Sequence, residues 1–376
     1  MMRAKVFVPC AALAALLLAG CAAGNADTAP AALTVESSYP LEYARQFTVD
    51  ECTGGYALIT IAESQYLVVP PQTPVPQNLP QGITVLQQPI ENIYLVSTSA
   101  MDPMISLDAL DSIALSGTKA EGWYLPEAKA AMQNGQIAYA GKYSAPDYET
   151  ILASGCGLAI ENTMIYHTPE VKEQLENFGI PVLVERSRYE SDPLARMEWV
   201  KLYGILLGRT EQAKQLFDAQ VQRVAPLAQQ QSTGKTVAFF SVTSNNLVTV
   251  RKGSDYVARM IEMAGGSYVF RDLTDNGNNL ATINLSLEDF YAGAKDADIL
   301  IYNSTIEGSI SSTEQLLEKC PLLAEFKAVQ NGNVWCTAQS LFQQSMELPD
   351  LILDMNRVFT AGTPDDSELT FLTHVD

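Results

Sequence analysis

The chain has 376 residues, of which 47% are hydrophobic, and its formal net charge is −20. This length exceeds that of one ordinary domain, so two lobes are expected, and the apolar fraction is ample for buried cores. Because the acidic charge repels phosphate, the composition argues against general binding to nucleic acid or anionic membranes. The only histidines are His167 and His374, which limits histidine-based catalysis and metal binding.

Residues 1–20 have the features of a secretion signal. A short basic start precedes an apolar run from Val6 to Ala19 that is too short to span a membrane. The run ends in Leu18-Ala19-Gly20-Cys21, which resembles the lipobox of bacterial lipoproteins and implies cleavage before Cys21 and lipidation of its thiol. We therefore predict a signal peptide at 1–20, a flexible tether at 21–36 and anchoring to the extracytoplasmic face of the cell membrane through Cys21.

Residues 37–190 are predicted to form an N-terminal α/β lobe. It starts with a small antiparallel unit, in which β-rich runs flank a turn at Gly54-Gly55. Five short apolar runs follow, each leading into a loop or a helix-like stretch, which favours a parallel sheet with helices on its faces. These runs begin at Ile93, Ser112, Ile137, Gly157 and Pro181.

Residues 191–231 are predicted to connect this lobe to a second one. Ser191-Asp192-Pro193 is typical of a helix start and Gly208 of a helix end. A second helix starts near Thr210 and covers about twenty residues, or roughly 30 Å. Alternating strands and helices resume over 232–376, the predicted C-terminal α/β lobe. The fold class is thus α/β, with two lobes of mainly parallel sheets joined by one long α-helix and a ligand cleft between them.

No sequence pattern predicts a metal site. The run Asp275–Asn279 looks faintly like a calcium loop, but Ser286 stands where that loop requires a glutamate. There is no CxxC pair, so a zinc ribbon or a thioredoxin motif is not expected. Beyond Cys21 the chain has four cysteines, for which disulfides and buried free thiols both stay open. They are Cys52, Cys156, Cys320 and Cys336.

Two helix–strand units repeat one another, the first opening near Glu149 and the second near Glu288. Together with the lipobox, the Pro193–Trp199 run and the inter-lobe helix, they resemble bacterial ABC-transporter substrate-binding lipoproteins. Within that family the chain is most similar to the subclass that captures iron–siderophore complexes, haem or cobalamin. The resemblance implies delivery of the ligand to a permease dimer with its ATPase, and docking of Glu149 and Glu288 onto basic permease residues. The hairpin at Thr48–Val69 and the stretch 232–282 depart from the general pattern.

Aromatic and cationic side chains on strand-following loops are candidate ligand contacts. Flat aromatic surface with a few cations suits a large conjugated anion, such as a ferric chelate or a tetrapyrrole. That complex would be the ligand, and no resident cofactor is predicted. The candidates are Trp123, Tyr124, Tyr143, Tyr166, Arg186, Arg188, Tyr189, Asn245, Arg251, Tyr256, Thr305 and Gln339.

An alternative hypothesis is a lipid-anchored extracytoplasmic hydrolase that uses the same cleft. The sequence lacks a GxSxG nucleophile elbow, and two histidines restrict a Ser–His–Asp arrangement to a few geometries. A binding protein without catalytic activity is therefore favoured. We expect a monomer whose partners are a small-molecule metal complex, the permease dimer with its ATPase, and the membrane through the lipid anchor.

Overall fold

The computed structural model describes residues 32–274, 281–361 and 364–376. The predicted signal peptide, Cys21, the tether up to residue 31 and the run Asp275–Asn279 lie outside these ranges. The boundaries predicted after residues 190 and 231 stay predictions. Of the two alternatives for the cysteines, the structure has free thiols at Cys52, Cys156, Cys320 and Cys336.

A five-stranded sheet, which we call the N-terminal sheet, comes first. Its strands follow one another in chain order and are antiparallel, except that the last two run parallel. The predicted turn is confirmed, because Gly54 and Gly55 both adopt positive φ angles, which glycine does at little cost. The strands are β1 (Val35–Ser38), β2 (Phe47–Cys52), β3 (Tyr56–Ile61), β4 (Ser64–Val69) and β5 (Ile83–Gln87).

The second sheet is parallel throughout, as predicted, with the strand order β12-β11-β6-β7-β8. All its carboxyl ends therefore lie at one edge. The strands are β6 (Ile93–Leu95), β7 (Ile113–Ser116), β8 (Ala138–Tyr139), β11 (Ala159–Asn162) and β12 (Val182–Glu185), with a small antiparallel pair of β9 (Gly141–Lys142) and β10 (Ala145–Pro146). The helices are α1 (Met101–Ser106), α2 (Pro126–Gln133), α3 (Tyr148–Ala153) and α4 (Pro169–Asn177).

Two helices connect the lobes: α5 (Pro193–Leu206) and α6 (Thr210–Val224). They pack side by side, and Gly204 on α5 lies so close to Ala213 on α6 that no Cβ would fit between them. The second helix is shorter than predicted. It ends after 15 residues and continues as a 3-10 helix over Ala225–Gln229, because Pro226 has no N–H to donate.

The third sheet has the order β16-β14-β13-β17-β18-β19, with β15 also paired to β13. Its centre, β13-β17-β18, is parallel as predicted. The strands are β13 (Thr236–Val242), β14 (Val248–Arg251), β15 (Ser267–Tyr268), β16 (Thr282–Leu285), β17 (Ile299–Tyr302), β18 (Val334–Thr337) and β19 (Leu372–His374). The helices are α7 (Tyr256–Met263), α8 (Leu287–Ala294), α9 (Ser304–Glu307), α10 (Thr313–Lys319), α11 (Lys327–Gln330) and α12 (Leu348–Ala361).

One hydrophobic cluster joins the three sheets through α5, where only Arg196 is not buried. Phe47 of the N-terminal sheet packs edge-on against Trp199 of α5, with ring centroids 4.9 Å apart. The same helix contacts α1 in the N-terminal lobe and α7 in the C-terminal lobe. Apolar burial on every side of α5 therefore holds the two lobes together.

Glu161 in β11 is a buried acid without a partner. It is 0% exposed, and neither carboxyl oxygen has a hydrogen-bond partner in the described part of the chain. Burial raises the pKa of Glu161 to about 8, because desolvation disfavours the charged form. The side chain is therefore mainly a neutral acid at pH 7.

We predict that Glu161→Met stabilises the protein at alkaline pH. The folded-state pKa lies above the unfolded value of 4.5, so the wild type loses about 1.4 kcal/mol per pH unit as pH rises from 4.5 to about 8. Methionine has a similar size and does not titrate. Thermal unfolding at several pH values should show a gain at pH 8 that narrows toward pH 4.5. The exposed Glu173→Met serves as the control, and a gain independent of pH would contradict the assignment.

Candidate functional site

The two lobes face each other with the carboxyl ends of their parallel strands. Here the segment between β18 and α12 reaches across to the N-terminal lobe. The contacts are four hydrogen bonds: Ser345 Oγ to the Ser99 carbonyl (3.1 Å), Met346 N to Asp102 Oδ2 (2.7 Å), Gln343 Nε2 to the Gly122 carbonyl (2.8 Å) and Tyr124 N to Gln343 Oε1 (2.8 Å). The lobes thus meet at the edge where ligands of open parallel sheets are found.

A buried and a half-buried carboxyl group also meet at this contact. Asp102 belongs to α1, and Glu347 precedes α12. Burial, together with the neighbouring Glu347, raises the pKa of Asp102, and burial also raises the pKa of Glu347. Like charges this close cannot both ionise cheaply, so the pair retains a proton at neutral pH.

A cavity of about 350 Å³ opens between the lobes, and we call it the cationic pocket. The N-terminal lobe contributes Arg186, Arg188 and Tyr189, which follow β12. The guanidinium carbons of Arg186 and Arg188 lie 4.7 and 5.6 Å from the centroid of the Tyr189 ring. The rest of the lining is Gln46, Glu190, Ser191, Lys252, Ser254, Asp255 and Ala281.

Neither arginine has a carboxylate partner among the described residues. Arg186 donates to Gln46 Oε1 and Arg188 to Thr163 Oγ1, all at 3.4 Å. The adjacent Glu190 is already occupied, since it accepts bonds from two backbone N–H groups and from the indole of Trp199. Guanidinium groups without an acidic partner are suited to bind an anion with charge-assisted hydrogen bonds.

A second cavity, of about 470 Å³, also has walls from both lobes. Tyr124 comes from the N-terminal lobe, and the other side is formed by the end of β18, by β19 and by the segments that follow β17 and β18. Those residues are Ser309, Ile310, Ser311, Cys336, Thr337, Ala338, Gln339, Ser340 and Thr373. Hydroxyl and amide groups predominate, so this neutral pocket can hydrogen-bond an uncharged polar part of a ligand.

The structure brings five of the twelve candidates to these two cavities, namely Arg186, Arg188, Tyr189, Tyr124 and Gln339. Three others are buried and engaged within the protein. Trp123 is 1% exposed and donates its indole N–H to Ser116 Oγ at 3.2 Å. The buried Tyr256 lies under the Arg196 guanidinium at 4.1 Å, and Arg251 faces Asp255 at 3.7 Å and the Phe342 ring at 4.7 Å.

The remaining four candidates line neither cavity. Tyr166 and Asn245 are exposed, and Tyr143 is half-buried against the core of the N-terminal lobe. Thr305 donates its hydroxyl to Asn303 at 2.8 Å, next to the start of α9. As ligand contacts these residues stay predictions.

Sequence inspection missed Gln46 and Lys252 as cleft residues. Gln46 precedes β2 in a unit that shows no strand-to-helix alternation, so no sequence signal marks it. Lys252 follows β14, a strand that the sequence analysis did not predict. The alternating run Val248–Arg251 would have revealed that strand and placed Lys252 at its end.

Among the described residues, no helix is both long enough and apolar enough to cross a membrane. Over the same residues, no group of three or more histidine, cysteine, aspartate or glutamate side chains is arranged to hold a metal ion.

Comparison with known proteins gives the family. A sequence profile described as periplasmic binding protein matches residues 96–340. The chain belongs to the periplasmic binding protein family. The matched span takes in most of the second and third sheets and the connecting helices. The N-terminal sheet of this periplasmic binding protein lies outside that span.

An uncharacterized lipoprotein of Methanocaldococcus jannaschii is 24% identical over 308 residues, which cover 77% of this chain and 71% of the relative. Among solved structures, a periplasmic haem-binding protein from Pseudomonas aeruginosa is similar with a TM-score of 0.58 and 17% identity, covering 76% of this chain and 99% of that one. An ABC-type Fe³⁺-hydroxamate transport protein from Saccharomonospora viridis has a TM-score of 0.55 and 21% identity, with 72% and 94% covered. These similarities confirm the predicted two-lobed α/β fold.

Proposed function

We propose that the protein is a lipid-anchored extracytoplasmic binding protein that captures an anionic iron complex, as siderophore or haem, or a corrinoid. It delivers this ligand to an ABC importer and carries out no catalysis. The observation that carries the proposal is the cationic pocket, where Arg186 and Arg188 face the cleft without a carboxylate partner among the described residues. In a chain of net charge −20, such a pair is best explained by an anionic ligand.

The size and position of the cavities support this class of ligand. Ligand pockets commonly enclose about 300–1,000 Å³, and both inter-lobe cavities fall within that range. A ligand with an acidic end and an uncharged polar end would match the cationic and the neutral pocket. The similar structures include a haem-binding protein and an Fe³⁺-hydroxamate transport protein, which agrees with a metal complex as the ligand.

The positions of Glu149 and Glu288 support docking to a permease. Each is the exposed second residue of its helix, Glu149 in α3 and Glu288 in α8. Helix α3 begins beyond the carboxyl end of β8. Helix α8 follows β16, which runs in the same direction as β13 because β14 is antiparallel to both. Both helices thus begin at the cleft edge of their own lobe, where a permease with arginines at its mouth could grip one carboxylate on each side.

The ligand is tested with four complexes: haemin, a ferric tris-catecholate, a ferric tris-hydroxamate and cyanocobalamin. We expect at least one to bind at micromolar concentration or below by isothermal titration calorimetry. For an anionic complex, Arg186→Ala should weaken binding roughly ten- to hundred-fold, since a charge-assisted contact contributes about 1.5–3 kcal/mol. Lys129→Ala, which removes a charge from the exposed surface of α2, is the control. If none of the four binds, the ligand class is wrong.

Docking is tested by the double reversal Glu149→Arg with Glu288→Arg. Exposed carboxylates contribute little to folding, so unfolding and ligand affinity should not change. Uptake in cells should fall sharply, and binding to the detergent-solubilised permease should weaken more at low salt than at high salt. The matched control is Glu173→Arg with Glu318→Arg, which reverses one exposed charge per lobe further along α4 and α10. Normal uptake by the first variant would refute docking through these residues.

The anchor is tested with Cys21→Ser. Lipidation requires the thiol, so this variant should leave the membrane fraction or stay unprocessed. Cys10→Ser, a change inside the predicted signal peptide, should remain membrane-bound and processed. Membrane association of Cys21→Ser at the wild-type level would show that Cys21 carries no anchor.

A further inference from the structure

The segment Tyr39–Gln46, which we call the strap, runs from the N-terminal sheet across α5 to the cleft. Two buried carboxylates hold its backbone. Glu198 of α5 accepts the backbone N–H groups of residues 42, 43 and 44 at 2.8–2.9 Å. Glu190 accepts those of residues 45 and 46 at 2.9–3.1 Å. Five consecutive backbone groups are thus fixed, three to α5 and two to Glu190 just before it.

The side chain of Gln46 takes no part in this anchoring. It reaches into the cationic pocket, where its Oε1 accepts from both Nε and Nη2 of Arg186 at 3.4 Å. The two bonds come from one edge of the guanidinium, so Gln46 restricts the plane of that group. Because the amide is neutral, it orients Arg186 without cancelling the charge of the guanidinium.

A carboxylate in the same place would act differently. It would form an ion pair with Arg186 and lower the pocket's attraction for an anion. The neighbouring Glu190 forms no such ion pair with Arg186, because its carboxylate accepts hydrogen bonds from the strap backbone and from the Trp199 indole. The one strap side chain in the pocket is thus an uncharged acceptor.

We propose that Gln46 is a positioning residue that presents the Arg186 guanidinium to an anionic ligand, so that the strap forms part of the binding site. The family profile begins at residue 96, so this residue belongs to a part of the chain that family membership does not describe. The inference rests on the proposed function, because it takes an anionic complex as the ligand of the cleft.

The first experiment needs no ligand. Phenylglyoxal modifies accessible arginines, and mass spectrometry of the peptides gives the rate at Arg186, with Arg188 in the same protein as reference. Gln46→Ala should raise the Arg186 rate several-fold and Gln46→Glu should lower it. The control Gln136→Glu alters an exposed glutamine before β8, at the edge of the sheet away from the cleft. Equal Arg186 rates in all four proteins would overturn the proposal.

The second experiment measures binding of the ferric tris-catecholate complex. Gln46→Glu should weaken binding roughly tenfold or more, and Gln46→Ala only a few-fold, since alanine loses orientation and glutamate also loses charge. All variants should unfold at the wild-type temperature, because the strap is held by its backbone. A merely structural glutamine predicts the reverse order, with glutamate the milder change, and that order would refute positioning. If the wild type binds none of the four complexes, the proposed function fails, and the labelling rates still decide the role of Gln46.

Discussion

The architecture depends on a charge buried on α5, one of the two helices that connect the lobes. Glu198 is 0% exposed, and its carboxylate accepts three backbone N–H groups of the strap and the Lys201 ammonium at 2.6 Å. An unpaired buried carboxylate would cost several kcal/mol, whereas here all the strong acceptor directions are used. Because three of its four partners come from a segment about 155 residues earlier in the chain, the carboxylate is fully hydrogen-bonded only when the strap is in place. The strap thereby covers α5 at Glu198.

This enclosure limits how the lobes can move. A helix exposed on one face can bend or slide, but α5 packs against α1, α6 and α7 and is covered by the strap at Glu198. Among the described residues, the hydrogen bonds at the facing strand ends come from one segment, residues 343–346, and the adjacent Glu347 meets Asp102 there. We therefore expect relative motion of the lobes to change these polar contacts more than the apolar packing around α5. The neutral pocket shares Tyr124 with these contacts, so a ligand there can alter them without disturbing the core.

Sequence patterns predicted the strands and helices that are marked by neighbouring residues in the chain. Most strands of the parallel sheet are largely buried, so they appear as continuous apolar runs. The runs beginning near Ile93, Ser112 and Ile137 are all present as strands, although the edge strand β8 is exposed. The residues of the cleft are harder to predict, because they are distant from one another in sequence. A tryptophan that follows a strand is equally compatible with a ligand-binding loop and with the hydrophobic core, and Trp123 lies in the core. Gln46 contacts Arg186 only because the strap crosses α5 in the folded chain. No local sequence pattern predicts that contact.

In the proposed function, ligand binding and permease docking use charges in different parts of the molecule. The net charge of −20 repels an anionic ligand at long range, yet counterions screen that field over about 8 Å at physiological ionic strength. Inside the cleft the ligand meets guanidinium groups at contact distance, where screening is weak and hydrogen bonds are directional. In the proposed docking, exposed carboxylates such as Glu149 and Glu288 meet a basic partner. Because the attraction to the permease acts at the rim and the attraction to the ligand acts within the cleft, substitutions can change one without the other. The short-range attraction between the guanidinium groups and the ligand then decides which ligand is retained. The geometry of that contact depends on how the strap holds Arg186.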